Sequence, residues 1–433
     1  MVDMLPYSIG ITDIHKELFQ ISPKHKQRHV SIFGKSGVGK TTLLRNMITW
    51  DIYHHLGVTV IDPHGGLIEE ILQTIPRERT NDVIYINPQD PKRAIGMNIF
   101  ESVSEAQKPL VVSSVISIMK NIWADSWGPR TEYILSNVSF ALLSQPKPQT
   151  LIAIPKLLTD KDFRERIVDN ISDPVVRDFF DQYDNRWSSR FREEAIAPLL
   201  NKVNKFTTNP LLRDVIGQSQ SSFDFRWAMD SKKIILCNLS KGALGEDVSS
   251  LLGSLIVTKL AHAALSRQDV PESERIPHIL YADEIQNFIH GVDFPTILSE
   301  ARKYKLSLIL ATQTLSQLPP KSLSAVLGNC GTFASFRVSA EDAETLKDEF
   351  ATSSPSELLQ DLPDYKLYVR TLAENSDGVL RPLEPQLVNA FPPFSLEDGV
   401  CASDPERIAS ISLERYARPR AEVEKHLKKF FSH

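Results

Sequence analysis

The glycine-rich segment VSIFGKSGVGKTT at residues 30–42 constrains the fold more than any other part of the sequence. Its apolar run Val30–Phe33 predicts a buried strand, and the periodic residues from Thr41 onward predict a helix. The residues between them fit the phosphate-loop pattern G-x-x-x-x-G-K-[ST]. Glycine adopts backbone angles closed to other residues, so this loop can curl its N–H groups around phosphate oxygens at a helix N-terminus. We therefore predict a nucleotide-binding α/β domain.

Two side chains of this loop carry specific chemistry. Lys40 is expected to reach the β- and γ-phosphates, and the hydroxyl of Thr41 is expected to ligate Mg²⁺. The predicted cofactors are therefore ATP and Mg²⁺. The predicted nucleotide contacts within the loop are Gly34, Ser36, Gly37, Val38, Gly39, Lys40, Thr41 and Thr42.

Charge and composition restrict the possible partners and the compartment. The 433 residues carry a net charge of −5, so any DNA contact must come from a local patch or a lined channel. Cys237, Cys330 and Cys401 show no paired spacing, which argues against a disulfide framework or a zinc site and fits a reducing cytoplasm. The N-terminus has no basic segment followed by an apolar one, so no signal peptide is apparent. No membrane span is apparent either, because the most apolar stretch, residues 251–265, is interrupted by polar side chains. We expect a soluble cytoplasmic protein with no integral membrane segment, with peripheral association with a membrane complex as the alternative.

The segments around the loop leave two alternatives open. The basic cluster at residues 24–29 is expected to be a solvated lead-in to the strand, with a subunit or polyanion contact as the alternative. Strands are predicted at Val58–Ile61 and Val83–Ile86. The first leads into DPHGG, where Asp62 and His64 either approach the γ-phosphate or form a turn.

Residues 101–226 change in character, because strand-like runs give way to helix-period patterns broken by prolines. We predict a mostly helical insert. Its stretch at residues 179–192 mixes aromatic residues with arginines, a combination that can stack bases and hold phosphates. Acidic residues nearly cancel this charge, so an amphipathic helix that buries its aromatic side chains is the favoured interpretation.

An acidic strand end supplies the second half of a predicted ATPase site. The run His278–Ala282 indicates a strand, and Asp283 and Glu284 follow it. Asp283 is expected to hold the hydrated Mg²⁺, and Glu284 to accept a proton from the attacking water. The alternative is a strand-to-helix cap.

Two further polar residues, Gln313 and Arg302, are candidates for contact with a nucleotide. Gln313, at the tip of the next predicted strand, Leu306–Ala311, could sense the γ-phosphate. Arg302 precedes that strand and is either a surface residue or an arginine inserted into a neighbouring subunit's site. A strand predicted at Thr332–Val338 carries Arg337. A further strand is predicted at Tyr365–Thr371. The tail from about Asp404 predicts an amphipathic helix with a solvated basic face.

Five motifs in order resemble those of the HerA/FtsK superfamily of ring ATPases, most closely the type IV secretion coupling proteins (TraD/TraG-like conjugative DNA-transfer ATPases). They are GKSGVGKTT from Gly34, IDPHGG from Ile61, YADE from Tyr281, ARKYKLSLILATQ from Ala301 and GNCGTFASFRVSAEDA from Gly328. The resemblance implies Walker A residues at Lys40 and Thr41, a Walker B pair at Asp283 and Glu284, a sensor at Gln313 and an arginine finger at Arg302. Arg337 is a weaker candidate for reaching the nucleotide across the interface.

The resemblance also implies an architecture and partners. We expect a RecA-like P-loop core with a mainly parallel twisted sheet, formed by residues 1–100 and 227–395. An all-α domain is expected at 101–226 and a helical tail at 396–433. The family's rings are homo-hexamers that move single- or double-stranded DNA through a central channel.

Many coupling proteins carry an N-terminal membrane anchor that is not apparent here, which puts docking to a secretion channel in doubt. The expected partner is then a relaxase, a nuclease or a secretion-channel protein, in conjugative transfer, DNA processing or defence. The alternatives are an ATPase that moves or remodels protein, and a module that binds nucleotide without turnover. Glu284 argues against the latter.

Overall fold

The computed structural model describes residues 6–101, 104–123, 127–289, 292–350, 355–374, 380–394 and 403–432. Its main sheet has eleven strands in the order β2-β1-β14-β11-β10-β3-β9-β8-β4-β7-β5. The strands are β1 Tyr7–Thr12, β2 Leu18–Ile21, β3 Val30–Phe33, β4 Gly57–Asp62, β5 Val83–Ile86, β6 Arg93–Ile95, β7 Ile234–Asn238, β8 His278–Ala282, β9 Leu306–Thr312, β10 Thr332–Ser335, β11 Lys366–Arg370, β12 Leu372–Glu374, β13 Leu380–Pro382, β14 Gln386–Ala390 and β15 Ala417–Pro419.

The seven strands from β10 to β5 in this order are parallel, and those from β11 to β2 continue the sheet in antiparallel pairing. Parallel strands are covered on both faces, which explains continuous apolar runs such as those of β3 and β8. The predicted α/β class with a mainly parallel sheet is confirmed. Six predicted strands, near residues 30, 58, 83, 278, 306 and 332, lie in its parallel part.

Helices cover both faces of this sheet. They are α1 Pro23–Gln27, α2 Lys40–Tyr53, α3 Gly66–Leu72, α4 Lys108–Ile122, α5 Pro129–Leu143, α6 Ala153–Thr159, α7 Lys161–Val168, α8 Pro174–Asp181, α9 Ser189–Thr208, α10 Pro210–Ile216, α11 Phe225–Asp230, α12 Lys241–Leu244, α13 Glu246–Leu265, α14 Phe294–Glu300, α15 Pro320–Asn329, α16 Ala340–Leu346, α17 Pro355–Gln360, α18 Pro405–Tyr416 and α19 Arg420–Ser432. Alternate residues of β8 enter opposite cores: Ile279 and Tyr281 pack with α2 and α3, whereas Leu280 and Ala282 pack with α13 and α14.

Between α4 and α11 the described residues form helices and no strands. The core of this region is continuous with the core on the α13 face of the sheet. Phe179, Phe180 and Tyr183 are buried, as the favoured interpretation expects, whereas Phe191 is 38% exposed. The stretch is divided between α8 and α9 and is not one continuous α-helix. The acidic residues there also have local partners, since Asp184 pairs with Arg164 at 2.8 Å and with Arg192 at 3.4 Å. The exact domain boundaries stay a prediction.

The interpretation of residues 24–29 as a solvated lead-in is wrong for two of its members. Lys26 is buried and its Nζ lies 2.5 Å from Asp51 Oδ1. His29 is buried between the carbonyl of Leu298 and the N–H of Leu308, at 3.0 Å from each. The strands β1 and β2, which precede them, were not predicted.

The tail forms two helices rather than one, because the strand β15 interrupts it and pairs with β6. The apolar side of α18 packs over β5, and the Ser412 hydroxyl accepts a hydrogen bond from the N–H of Tyr85 at 2.7 Å. In α19, Arg420 forms an ion pair with Asp214 of α10. The tail thus joins the sheet to the helical region.

One helix in the described chain, beginning at α13, is long and apolar enough to cross a membrane. Its most apolar window is 78% buried, which is typical of a core helix of the sheet. Cys237 and Cys330 are also buried, and Cys401 lies outside the described residues.

Candidate functional site

The loop between β3 and α2 has the backbone that a phosphate cradle requires. Gly37 and Gly39 have φ angles of +80° and +118°, which side-chain-bearing residues rarely adopt. A Cβ on Gly37 would meet no atom within 4 Å, so the loop is open on that side. The Lys40 ammonium bends back and donates to the carbonyls of Gly34 at 2.5 Å and Lys35 at 2.9 Å. Burial lowers the pKa of Lys40, whereas Glu284 and Asp283 oppose this shift.

The acids that follow β8 lie at the same sheet edge as this loop. The Thr41 hydroxyl donates to Asp283 Oδ2 at 3.5 Å, although the two residues are 242 positions apart. Burial, and then repulsion from Glu284 and Asp62, raises the pKa of Asp283 to about 6. A buried carboxylate beside a hydroxyl is an oxygen donor set that suits a hard cation such as Mg²⁺. The open loop and this donor pair therefore fit a magnesium-bound nucleotide.

Glu284 is held in place by hydrogen bonds from two elements. It has a φ angle of +48°, and its Oε2 accepts from the Gln286 side chain at 2.6 Å and from the Gln313 N–H at 3.2 Å. Gln286 in turn accepts from the Thr312 hydroxyl at 2.8 Å. The tip of β9 thus orients the carboxylate that follows β8. The Gln313 side chain itself is exposed.

Sequence reasoning missed Gln286. Its only signal is its position three residues after Asp283, and its partners come from β9 and the segment after it. A polar residue after a strand is common, so spacing alone could not assign it this role.

Asp62 lies close enough to Asp283 to raise its pKa, but its own oxygens bind backbone groups. They accept from the N–H groups of His64 at 2.7 Å, Leu67 at 2.9 Å and Ile68 at 3.4 Å. These contacts form a turn and cap α3, which corresponds to the turn alternative for DPHGG. A nucleotide contact by Asp62 stays a prediction.

Arg302 lies at the other end of β9, in a 3₁₀ turn, Ala301–Tyr304, that precedes the strand. Since β9 has seven residues, about 20 Å of strand separates Arg302 from the phosphate-loop edge of the sheet. Arg302 and Arg28 line a cavity of about 380 Å³. Burial and then Arg302 lower the pKa of Arg28. Arg302 cannot reach its own chain's phosphate loop.

Arg337 lies beside the loop, and its guanidinium is already engaged. Its carbonyl accepts from the Lys35 N–H at 2.8 Å. Its side chain donates to the carbonyl of Leu362 at 3.0 Å and to Asp364 Oδ1 at 2.7 Å. A reach across an interface by Arg337 stays a prediction.

Among protein-family models, one matches most of the chain. A sequence profile described as the type IV secretion-system coupling protein DNA-binding domain matches residues 17–351. No curated protein sequence matches the chain.

Among solved structures, the plasmid coupling protein TrwB in complex with ADP and Mg²⁺ shares 16% identity over 92% of each chain, with a TM-score of 0.61. TrwB with the non-hydrolysable ATP analogue ADPNP also has a TM-score of 0.61 at 16% identity, over 88% of this chain and 89% of TrwB. VirB4 of Thermoanaerobacter pseudethanolicus shares 13% identity over 90% of this chain and 97% of its own, with a TM-score of 0.57. At these identities the likeness establishes the fold.

Proposed function

Since the chain belongs to the family of the type IV secretion-system coupling protein DNA-binding domain, we propose that it is an ATPase that moves DNA. The observation that carries this proposal is the convergence of Lys40, Thr41, Asp283 and Glu284 at one sheet edge, with Thr41 Oγ1 and Asp283 Oδ2 3.5 Å apart. The TrwB structures with ADP and Mg²⁺ and with ADPNP support ATP and Mg²⁺ as the ligands of this edge.

Some residues of the proposed site bind the nucleotide and Mg²⁺, and others take part in proton transfer. The loop N–H groups and Lys40 bind the phosphates, and Thr41 and Asp283 hold Mg²⁺. Bound Mg²⁺ supplies positive charge that stabilises the phosphate oxygens. Glu284, oriented by Gln286 and the Gln313 N–H, accepts the proton of the attacking water. The exposed Gln313 side chain senses the γ-phosphate.

The position of Arg302 supports an assembly of several copies of the chain. Arg302 lies far from its own phosphate loop, so it completes a site only if a neighbouring copy is placed head to tail. Head-to-tail contacts form a ring when the rotation between copies closes, and we propose a homo-hexamer of this kind with one site at each interface. DNA passes through the central channel, whose local cations offset the net charge of −5. A relaxase, nuclease or secretion-channel protein would be its partner in the cytoplasm.

The test measures ATP hydrolysis with and without single- and double-stranded DNA, together with mass by light scattering. DNA-stimulated turnover by a six-fold species is expected. Turnover that is indifferent to DNA would favour an ATPase that moves protein, and nucleotide binding with no turnover would refute the ATPase.

A matched pair of variants tests the base. Glu284→Gln keeps a hydrogen-bond acceptor for Gln286 and the Gln313 N–H, so it should bind ATP and lose turnover by roughly 100-fold or more. The exposed Glu274→Gln, before the same strand, should keep wild-type turnover. Normal hydrolysis by Glu284→Gln would remove Glu284 from the mechanism.

A further inference from the structure

Tyr365 is an exposed aromatic residue fastened to the phosphate loop. Its side chain is 54% exposed. Its N–H donates to the carbonyl of Val38 at 2.9 Å, and its own carbonyl accepts from the N–H of Ala390 at 2.9 Å. Ring atom Cδ1 lies 3.1 Å from the position that a Cβ on Gly39 would occupy. The ring therefore flanks the loop and still faces solvent.

The backbone at Tyr365 is strained. Its φ angle is +63°, in the left-handed region that favours glycine and asparagine and disfavours bulky side chains. Such an outlier persists where the surroundings hold it, and it is more frequent at ligand sites. Here Arg337 holds the preceding segment through Leu362 and Asp364. The sequence thus keeps a large aromatic ring at a position where a small residue would be less costly.

The strand order tells which part of a nucleotide would lie near this ring. The acids of the site follow β8, and Gln313 follows β9, on one side of β3. Tyr365 immediately precedes β11, on the other side of β3 beyond β10. The γ-phosphate must face the acids for hydrolysis, so the ribose and base extend away from them, toward β10 and β11.

We propose that Tyr365 is the platform on which the base of the bound nucleotide stacks, an inference that rests on the proposed nucleotide site. Stacking on an aromatic ring tolerates any base, because every base has a π face. Tyr365 therefore contributes affinity for nucleosides and none for a bare phosphate chain. Arg337, through Asp364, is a positioning residue for this platform.

The experiment compares two probes, MgADP and magnesium tripolyphosphate, on the full chain. Tyr365→Asn removes the ring and suits a left-handed backbone, so the loop should keep its shape. Its MgADP affinity should fall roughly ten-fold, with tripolyphosphate affinity within about two-fold of wild type. Tyr365→Phe should bind both probes like the wild type. Tyr133→Ala, which removes a tyrosine of similar exposure (49%) on α5, is the matched control and should bind both normally.

Four results of these binding measurements would contradict the proposal. Unchanged MgADP affinity in Tyr365→Asn overturns the proposal, and so does an equal loss for both probes, which would mark Tyr365 as a support of the loop. If the wild type binds tripolyphosphate and ADP equally well, the site is a phosphate site without a base platform. If it binds neither, the nucleotide site itself fails and this inference with it.

Discussion

Replacing Lys26 with methionine tests how far the site depends on a buried ion pair beneath it. Lys26 and Asp51 are both 1% exposed, and their charged atoms lie 2.5 Å apart. The Tyr281 hydroxyl donates to the other oxygen of Asp51. Asp51 lies on α2, which begins at Lys40, and Tyr281 lies two residues before Asp283. The pair therefore joins the phosphate-loop helix to the strand that carries the acids.

The expected cost follows from the burial of both partners. Removing one member of a buried pair leaves an uncompensated charge and typically costs about 3–5 kcal/mol. A folded domain is stable by only about 5–15 kcal/mol, so Lys26→Met should remove a large part of that margin. For a domain of this size the melting temperature should fall by on the order of 10 °C.

Denaturant and thermal unfolding of three variants would separate the causes. Lys26→Met should be strongly destabilised. The double variant Lys26→Met/Asp51→Asn should recover most of the loss, because asparagine is neutral and its oxygen still accepts from Tyr281. The exposed Lys24→Met, on the same helix, should change stability by about 0.5 kcal/mol. If the double variant is no more stable than Lys26→Met, the cost does not come from the unpaired charge and the reasoning is wrong.

Three further changes have defined outcomes. Arg302→Ala should leave the assembly intact and lower turnover by about 1,000-fold; an unchanged rate in a hydrolysis assay would exclude Arg302 from the mechanism. Gly39→Ala should abolish MgADP binding in calorimetry, because its φ angle is +118° and the new Cβ would lie 3.1–3.2 Å from the rings of Tyr365 and Phe336. If the variant binds like the wild type, the loop tolerates a side chain there. Burial lowers the pKa of His29 to about 4, so between pH 6.5 and 4 the unfolded state binds more protons than the folded state. The free energy of unfolding should therefore decrease by on the order of 3 kcal/mol as the pH falls from 6.5 to 4. His29→Asn should flatten this pH dependence when unfolding is measured across the same range.

The parallel part of the fold was predictable because its physical signal is local. Strands covered on both faces are continuous apolar runs, and β3, β5 and β8 lie where those runs predicted them. The phosphate loop was equally local, since its glycines and lysine are consecutive. Polar chain segments around it carried no such signal.

The failures come from contacts between distant parts of the chain. Lys26 has its partner 25 residues away and His29 has one 269 residues away, so a basic cluster concealed two buried side chains. The strand β1, YSIGIT, contains a serine and a glycine and is stabilised by pairing with β14, which lies more than 370 residues later in the chain. The strand predicted from Tyr365 begins instead at Lys366, because Tyr365 takes a left-handed backbone to bind the Val38 carbonyl.

The same dependence on distant contacts explains how sensing and proton transfer can be joined in one site. The Gln313 N–H binds Glu284, and its side chain remains exposed at the tip of β9. Thr312, the last residue of that strand, holds Gln286, and Gln286 holds Glu284. If a ligand on the Gln313 side chain displaced the β9 tip, we expect both donors to the Glu284 carboxylate, the Gln313 N–H and the Gln286 amide, to move with it. The predicted sensor and the predicted base are thus joined by a direct hydrogen bond, although 29 residues separate them in the chain.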